Sequence, residues 1–322
     1  MLVTVGITFL VLGLVLASLG TWLSPLLALF GELFGTQKKQ RSKHRFHSLD
    51  VLIPAHHERE SLPLTINSAR QSISAVIHLA MEPSKIVVGL SAWTGPEAQF
   101  AARLADQVIE ISRPGKWWAL QALVKQSQAE WVALVDCGTT WPEDLVLHLS
   151  EYLSTEDVMA VNPSYREGSR GIVSKMIWRF EAFLKSLENK AGGPVSLHGA
   201  TIFYRRECLV KAFEHLEGVE WLNDDVVVPL TLRMLFPEKR IIYDRDVFVV
   251  DMSSSPVTSD VKRRKRLLFG NLQWIRKFFP ALAVHNPVLL ALAMRRALRV
   301  MWAWWCLLIG MGFLFIVFSH SD

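Results

Sequence analysis

Apolar residues fall into two long unbroken runs at the chain ends and many short ones between them. From Met1 to Gly35 the only charge is Glu32, and from Val300 to Ser319 there is none. About 20 apolar residues span a bilayer, so both ends read as membrane helices. The first covers 2–22, with a bent or interfacial extension past Pro25 to Phe34. In the middle, short apolar runs alternate with amphipathic ones. Strands are expected at Asp50–Ile53, Lys85–Leu90, Gln107–Ile111 and Trp131–Val135, with a loop at Pro54–Glu60. Helices are expected at Leu62–Ile77, Pro96–Ala105 and Lys116–Ala129. This rhythm implies an α/β domain with a parallel sheet and crossover helices. The second half is less regular. Strands are expected at Val158–Asn162, Ala200–Tyr204, Arg240–Tyr243 and Val247–Val250, and helices at Ile172–Leu187, Glu207–Phe213 and Asp225–Leu235. A basic amphipathic helix over Asp260–Phe279 leads into Pro280–Leu298, a membrane-surface segment broken at Pro280 and Pro287.

Composition sharpens this division. Of 322 residues 51% are apolar and 20% charged, and the apolar excess sits at the ends. Residues 46–275 have ordinary globular composition and are numerous enough for a real core. The first segment lacks a positive n-region and its apolar run is long, which favours a signal anchor over a cleaved signal. Lys38, Lys39, Arg41, Lys43 and Arg45 follow it, and Arg295, Arg296 and Arg299 precede the last segment. The positive-inside rule then puts both flanks and the domain between them in the cytoplasm, on the inner (plasma) membrane, with both termini outside. Trp302, Trp304 and Trp305 would lie near the inner interface. The expected divisions are an anchor (1–35), a basic linker (36–47), the α/β domain (48–279), an interfacial segment (280–299) and a second span (300–319). Net charge is only +5, with the basic residues beside the membrane segments, so the expected polyanionic partner is lipid headgroups, not nucleic acid. Three cysteines without zinc spacing fit a reducing compartment.

The candidate chemistry sits at run ends. Val51-Leu-Ile-Pro54-Ala55-His-His-Glu58, Trp131-Val-Ala-Leu-Val-Asp136-Cys-Gly138 and Trp221-Leu-Asn-Asp224-Asp225 each put carboxylate at the end of an apolar or loop-bounded run. An open α/β sheet builds its ligand crevice at the carboxyl ends of its strands. Lys116, in Arg113-Pro-Gly-Lys116-Trp-Trp-Ala-Leu, opens a helix, where it can face phosphate. Asp224 and Asp225 also suit the start of a helix on ordinary dipole grounds. The Lys262-Arg263-Arg-Lys-Arg266 run is either a diphosphate clamp or a basic membrane-surface helix, and the two readings are compatible. Trp93 is either a base-stacking ring or a packing residue. His198 reads first as a structural histidine, and Gly199 beside it permits close approach.

The order of these motifs between membrane segments resembles the membrane-bound family 2 glycosyltransferases, over roughly residues 48–275. The resemblance implies a GT-A fold: a nucleotide-sugar-binding α/β half with a mainly parallel sheet, then an acceptor half. It implies that Pro54, Ala55 and Glu58 match a loop touching the donor base, with His56 and His57 replacing Tyr and Asn. Gly115-Lys116-x-x-Ala-Leu matches a donor-site helix start. Asp136 matches the first acid of an Asp-x-Asp motif that holds Mg²⁺ or Mn²⁺ on the donor diphosphate; Gly138 replaces the second. Asp225 matches the general base that activates the acceptor hydroxyl, with Asp224 its neighbour. Arg263 and Arg266 match a Gln-x-x-Arg-Trp motif, with Leu267 in place of Trp. His198 and Gly199 fall at an acceptor-lining turn. The implied activity is inverting transfer from a nucleotide-sugar, UDP-linked by expectation, to a lipid-linked or polysaccharide acceptor. A single helix after the basic motif cannot form a polymer channel, which favours single addition or a subunit working with other polysaccharide synthesis or export proteins. The competing reading is a catalytically degenerate scaffold subunit.

Overall fold

The computed structural model describes residues 2–34, 46–56, 58–80, 82–91, 95–167, 172–252 and 257–319. The chain divides into two compact units, one of residues 1–36 with 264–322 and one of residues 37–263.

The second unit is built on one eight-stranded sheet. Four strands are parallel: β1 (Leu49–Ala55), β2 (Ile86–Leu90), β3 (Gln107–Glu110) and β4 (Trp131–Val135). Their crossovers are the helices α2 (Leu62–Ser74), α3 (Gly95–Ala102) and α4 (Lys116–Gln126). Beyond β4 lie β5 (Thr139–Thr140), β6 (Val158–Glu167), β7 (Thr201–Arg205) and β8 (Arg240–Asp251), giving the order β3-β2-β1-β4-β7-β6-β8-β5. The remaining helices of this unit are α5 (Leu145–Leu153), α6 (Ile172–Glu188), α7 (Arg206–His215) and α8 (Asp224–Leu235).

β1, β2 and β4 are buried almost throughout, because helices cover both faces. Val51 and Ile53 join a core with Leu62, Ile66 and Leu149 from α2 and α5, while α4 packs on the opposite face of β1 and β2. Leu62–Ser74 also shows why small polar residues interrupt an amphipathic helix. Thr65, Ser68 and Ser72 accept the backbone N–H of Gly138 (2.9 Å), Trp141 (3.1 Å) and Val146 (3.0 Å). One helix face thus fastens the whole segment that follows β4.

Several expected boundaries shift. β1 runs on through Pro54 and Ala55, which pair with Gly89 and Leu90, so the expected loop starts later. The two short strands expected at 240–250 are a single β8. Its pairing jumps from Pro163–Asp244 to Ser164–Phe248, and the extra residues bulge out where the apolar pattern breaks. The short helix α5 was not expected.

The first unit comprises α1 (Leu2–Phe34), the later part of α9 (Val257–His285), α10 (Pro287–Val300) and α11 (Trp302–Phe318). Pro25 lies inside α1 and Pro280 inside α9, so neither ends its helix. The break comes at Asn286 instead, whose side chain accepts Leu289 N–H at 2.9 Å with Pro287 opening the next helix. Among the described residues Leu2–Leu23 is long and apolar enough to cross a membrane. The C-terminal segment expected as a second span is a helix of 17 residues, about 26 Å long. It reaches span length only together with α10, across a 63° bend.

Glycines set the pairing of α1 with α11. A β-carbon on Gly312 would lie 2.6 Å from Leu10 N, and one on Gly6 would lie 2.9 Å from Gly312 O. Small residues let helix backbones approach this closely. Gly312→Val is therefore expected to destabilise the pair by about 1–3 kcal/mol. A lower melting temperature of the detergent-solubilised protein would show it; an unchanged one would mean that the helices do not pack here.

Candidate active site

The chain runs from β1 outward to β2 and β3, then returns to β4 on the other side of β1. This reversal opens a crevice at the carboxyl ends of β1 and β4. Glu58 follows β1 and Asp136 follows β4. The two loops touch where Cys137 Sγ lies 3.6 Å from Glu58 O and 3.5 Å from Ser61 Oγ. Glu58 folds its own carboxylate back onto His56 N–H, and His56 Nδ1 meets Ser91 O at 2.9 Å. Burial first, and then the carboxylates nearby, push the Cys137 thiol up to about 12, so it remains a thiol at neutral pH.

β7 is antiparallel to β4 and pairs Thr201 with Val135. Its entrance therefore meets the exit of β4, and Asp136 N–H donates to Ala200 O at 3.0 Å. That pairing sets Gly199 beside Asp136. A β-carbon on Gly199 would lie 3.8 Å from Asp136 Oδ2, 3.8 Å from Asp225 Cβ and 3.9 Å from Lys116 Nζ. These are ordinary contacts, so glycine here keeps space open where three functional groups converge.

Lys116 is the first residue of α4, after Gly115 at φ 117°, where a β-carbon would also strike Glu220 Oε1 at 2.8 Å. Its ammonium lies 2.7 Å from Asp136 Oδ1 and 3.3 Å from Asp224 Oδ2. Burial alone would lower its pKa, but Asp136, Asp224 and Asp225 together hold it above the ordinary lysine value. Asp136 is raised by burial, while Lys116 pulls it down and Asp224 adds to the rise.

Asp224 and Asp225 open α8. Pro229, four residues after Asp225, has no N–H to give to the Asp225 carbonyl. Leu197 N–H takes that carbonyl instead, at 2.9 Å. A proline inside the helix thus fastens the 197–199 turn to the helix start that carries the acids. Asn162 holds the same turn from the other side: its side chain accepts His198 N–H at 2.8 Å and donates to His198 O and Thr201 O. The His198 ring is buried and meets Tyr165, Trp178 and Tyr243 edge to face, with centroids 5.3–5.7 Å away.

Lys116, Asp136, Gly199, Asp224 and Asp225, expected from separate stretches of sequence, thus come together. Pro54 and Ala55 lie on the same strand end but inside β1, Ala55 buried and Pro54 half-buried. His198 adjoins the group by its backbone, its ring turned into an aromatic cage. Arg263 and Arg266 lie in α9; the Arg263 side chain, His57 and Trp93 fall outside the described residues, and Arg266 is exposed and belongs to the other unit. Asn162, Pro229 and Tyr204, which also lines the pocket beside Lys116 and Asp136, were not anticipated. Among the described residues no group of three His, Cys, Asp or Glu side chains could hold a metal ion.

No protein-family model matches the chain, and no curated protein sequence does. Solved structures do match. One is the mannosyltransferase PcManGT from Pyrobaculum calidifontis in complex with GDP-Man and Mn²⁺, at 19% identity and TM-score 0.68, covering 100% of this chain and 88% of that one. Another is glucosyl-3-phosphoglycerate synthase from Mycobacterium tuberculosis in complex with Mn²⁺, UDP-Glc and phosphoglyceric acid, at 17% identity and TM-score 0.49, over 70% of this chain and 79% of that one. The second is too distant to carry an argument. The first shows the fold: this chain has the GT-A-type α/β architecture.

Proposed function

We propose that the chain is an inverting glycosyltransferase that moves a sugar from a nucleotide-diphosphate donor to a lipid-linked or polysaccharide acceptor at the cytoplasmic face of a membrane. The observation that carries this reading is the convergence of Lys116, Asp136, Gly199, Asp224 and Asp225 on the crevice at the strand ends. Asp225 takes the proton of the acceptor hydroxyl as it attacks the anomeric carbon. The nucleotide diphosphate leaves from the opposite face, which inverts the centre. Lys116 opposes the charge that develops on the diphosphate. Asp136 and Asp224 hold its ammonium in place, and Gly199 leaves room for the reacting groups.

A divalent ion was expected on Asp136, and the mannosyltransferase of similar fold holds Mn²⁺. On nucleotide phosphates such an ion is held by one or two carboxylates, with phosphate oxygens and waters as its other ligands. Here Asp136 gives one oxygen to Lys116, and the next position of the motif is Gly138, at φ 95° and without a side chain. Asp136 would be the one carboxylate on such an ion, and Lys116 is the cation that the chain itself supplies to the diphosphate in this reading. The two membrane segments and an acceptor drawn from lipid or growing polysaccharide belong to the same proposal.

Gly138 also favours a second reading, a degenerate scaffold subunit. Donor binding separates the two. The full-length protein is melted in detergent with UDP, GDP and their sugars, with Mn²⁺ or with EDTA present. Nucleotide at 100 times its Kd stabilises by about 2.7 kcal/mol, which raises the melting temperature by degrees. A shift with one nucleotide also names the donor; no shift with any, with or without Mn²⁺, favours the scaffold.

A further inference from the structure

The pocket beside Lys116 holds a phenol that the chemistry above does not use. Tyr204 is the fourth residue of β7, opposite Val132 on β4 and Ala160 on β6. Side chains alternate along a strand. Phe203 joins the core with α2 and α5, so Ile202 and Tyr204 turn to the other face, towards Leu120 of α4, Phe213 of α7 and Val228 of α8. Tyr204 is 1% exposed.

A cavity of about 10 Å³ adjoins this ring, and Lys116, Asp136, Gly199 and Asp224 also border it. That is about the room one water needs. Empty cavities in proteins are apolar throughout, whereas a hydrated one supplies two to four polar partners. Here a phenol, an ammonium and two carboxylates meet the same space. Burial first, and then the charges of Asp224 and Asp225, raise the phenol well above its ordinary pKa, so the hydroxyl keeps its proton and can donate. Among the described residues no group takes a hydrogen bond from it directly. A buried donor left without an acceptor is costly. Asp224 is the acceptor with capacity to spare. The Lys116 ammonium lies 2.7 Å from Asp136 but 3.3 Å from Asp224, and charge-assisted bonds run at about 2.7–2.9 Å.

We propose that one ordered water occupies this cavity, accepts from the Tyr204 hydroxyl and donates to the Asp224 carboxylate, which makes Tyr204 a positioning residue of the donor site. A bridging water is nearly as good as a direct hydrogen bond. It holds Asp224 from below β7 while Lys116 holds it from α4, so the ammonium keeps its place for the diphosphate. This role rests on the catalytic reading; the water itself does not.

High-resolution crystals of the full-length protein, unaltered and with Tyr204→Phe, test the water without any nucleotide. The expected density is one water within hydrogen-bond reach of the Tyr204 hydroxyl and the Asp224 carboxylate, lost with Tyr204→Phe. A dry cavity, or the hydroxyl bonded to a carboxylate directly, would overturn the proposal. Transfer assays read the role. Tyr204→Phe should raise the donor KM by about 5-fold, the effect of one hydrogen bond, with kcat and the melting temperature close to those of the unaltered protein. In an Asp224→Asn background the same change should add nothing, because the two residues act through one water. A fall in kcat at unchanged KM, or an equal effect in both backgrounds, would refute the positioning role. Failure of the unaltered protein to transfer any sugar would remove the catalytic reading and this role with it, while the crystals still decide the water.

Discussion

Asp225→Asn is expected to lower sugar transfer by about 10³-fold, within the range of a lost general base. Donor binding and the melting temperature should stay close to those of the unaltered protein. The substitution changes only the side chain; the Asp225 carbonyl that accepts Leu197 N–H remains, so the 197–199 turn keeps its anchor. Asparagine is also tolerated near a helix start. Asp224→Asn is the contrast. Asp224 Oδ2 lies 3.3 Å from the Lys116 ammonium, so its loss loosens the donor site rather than the base. Initial rates and nucleotide titrations on both variants separate the two roles. Full activity of Asp225→Asn removes the base assignment.

Lys116→Gln is expected to weaken nucleotide-diphosphate binding by about 10-fold, since a hydrogen bond to a charged group contributes about 1.5 kcal/mol. It removes the cation from the diphosphate and leaves Asp136 without the charge that pulls its carboxyl down. Added Mn²⁺ should restore binding only in part, because an ion on Asp136 does not replace the ammonium. Full restoration by Mn²⁺ would show that the ammonium is replaceable. The lysine charge is insensitive to pH in the neutral range. The pKa of Lys116 is held above 10.5, so its contribution to stability is fully present below that value and is lost only as pH rises beyond it.

The residues that form the site were legible because each marks the end of a local pattern. Asp136 ends a five-residue apolar strand, Lys116 follows a turn glycine, and Asp224 and Asp225 open a helix where acids are favoured. What the sequence hid depends on tertiary approach. Thr65, Ser68 and Ser72 look like weak spots in a helix until the 138–146 backbone is laid against them. Pro229 reads as a helix breaker; its use is a carbonyl freed for another segment. Asn162 reads as one more strand residue, yet its side chain holds both the N–H and the carbonyl of His198. The break in β8 was visible as a gap in the apolar pattern, but a gap between two strands and a bulge within one look alike in sequence. The C-terminal apolar run gave its composition correctly and its length ambiguously, because the bend at Met301 leaves no sequence mark comparable to Pro or Gly.

The most direct test is a transfer assay on the full-length protein reconstituted into lipid vesicles, with labelled UDP- and GDP-sugars supplied with Mn²⁺ and, in parallel, with EDTA. The product's anomeric configuration is read by NMR. The site described here predicts a glycosylated product of inverted configuration from one of these donors, lost in Asp225→Asn. Binding of nucleotide with no product from any donor, or a product formed equally by Asp225→Asn, would contradict it.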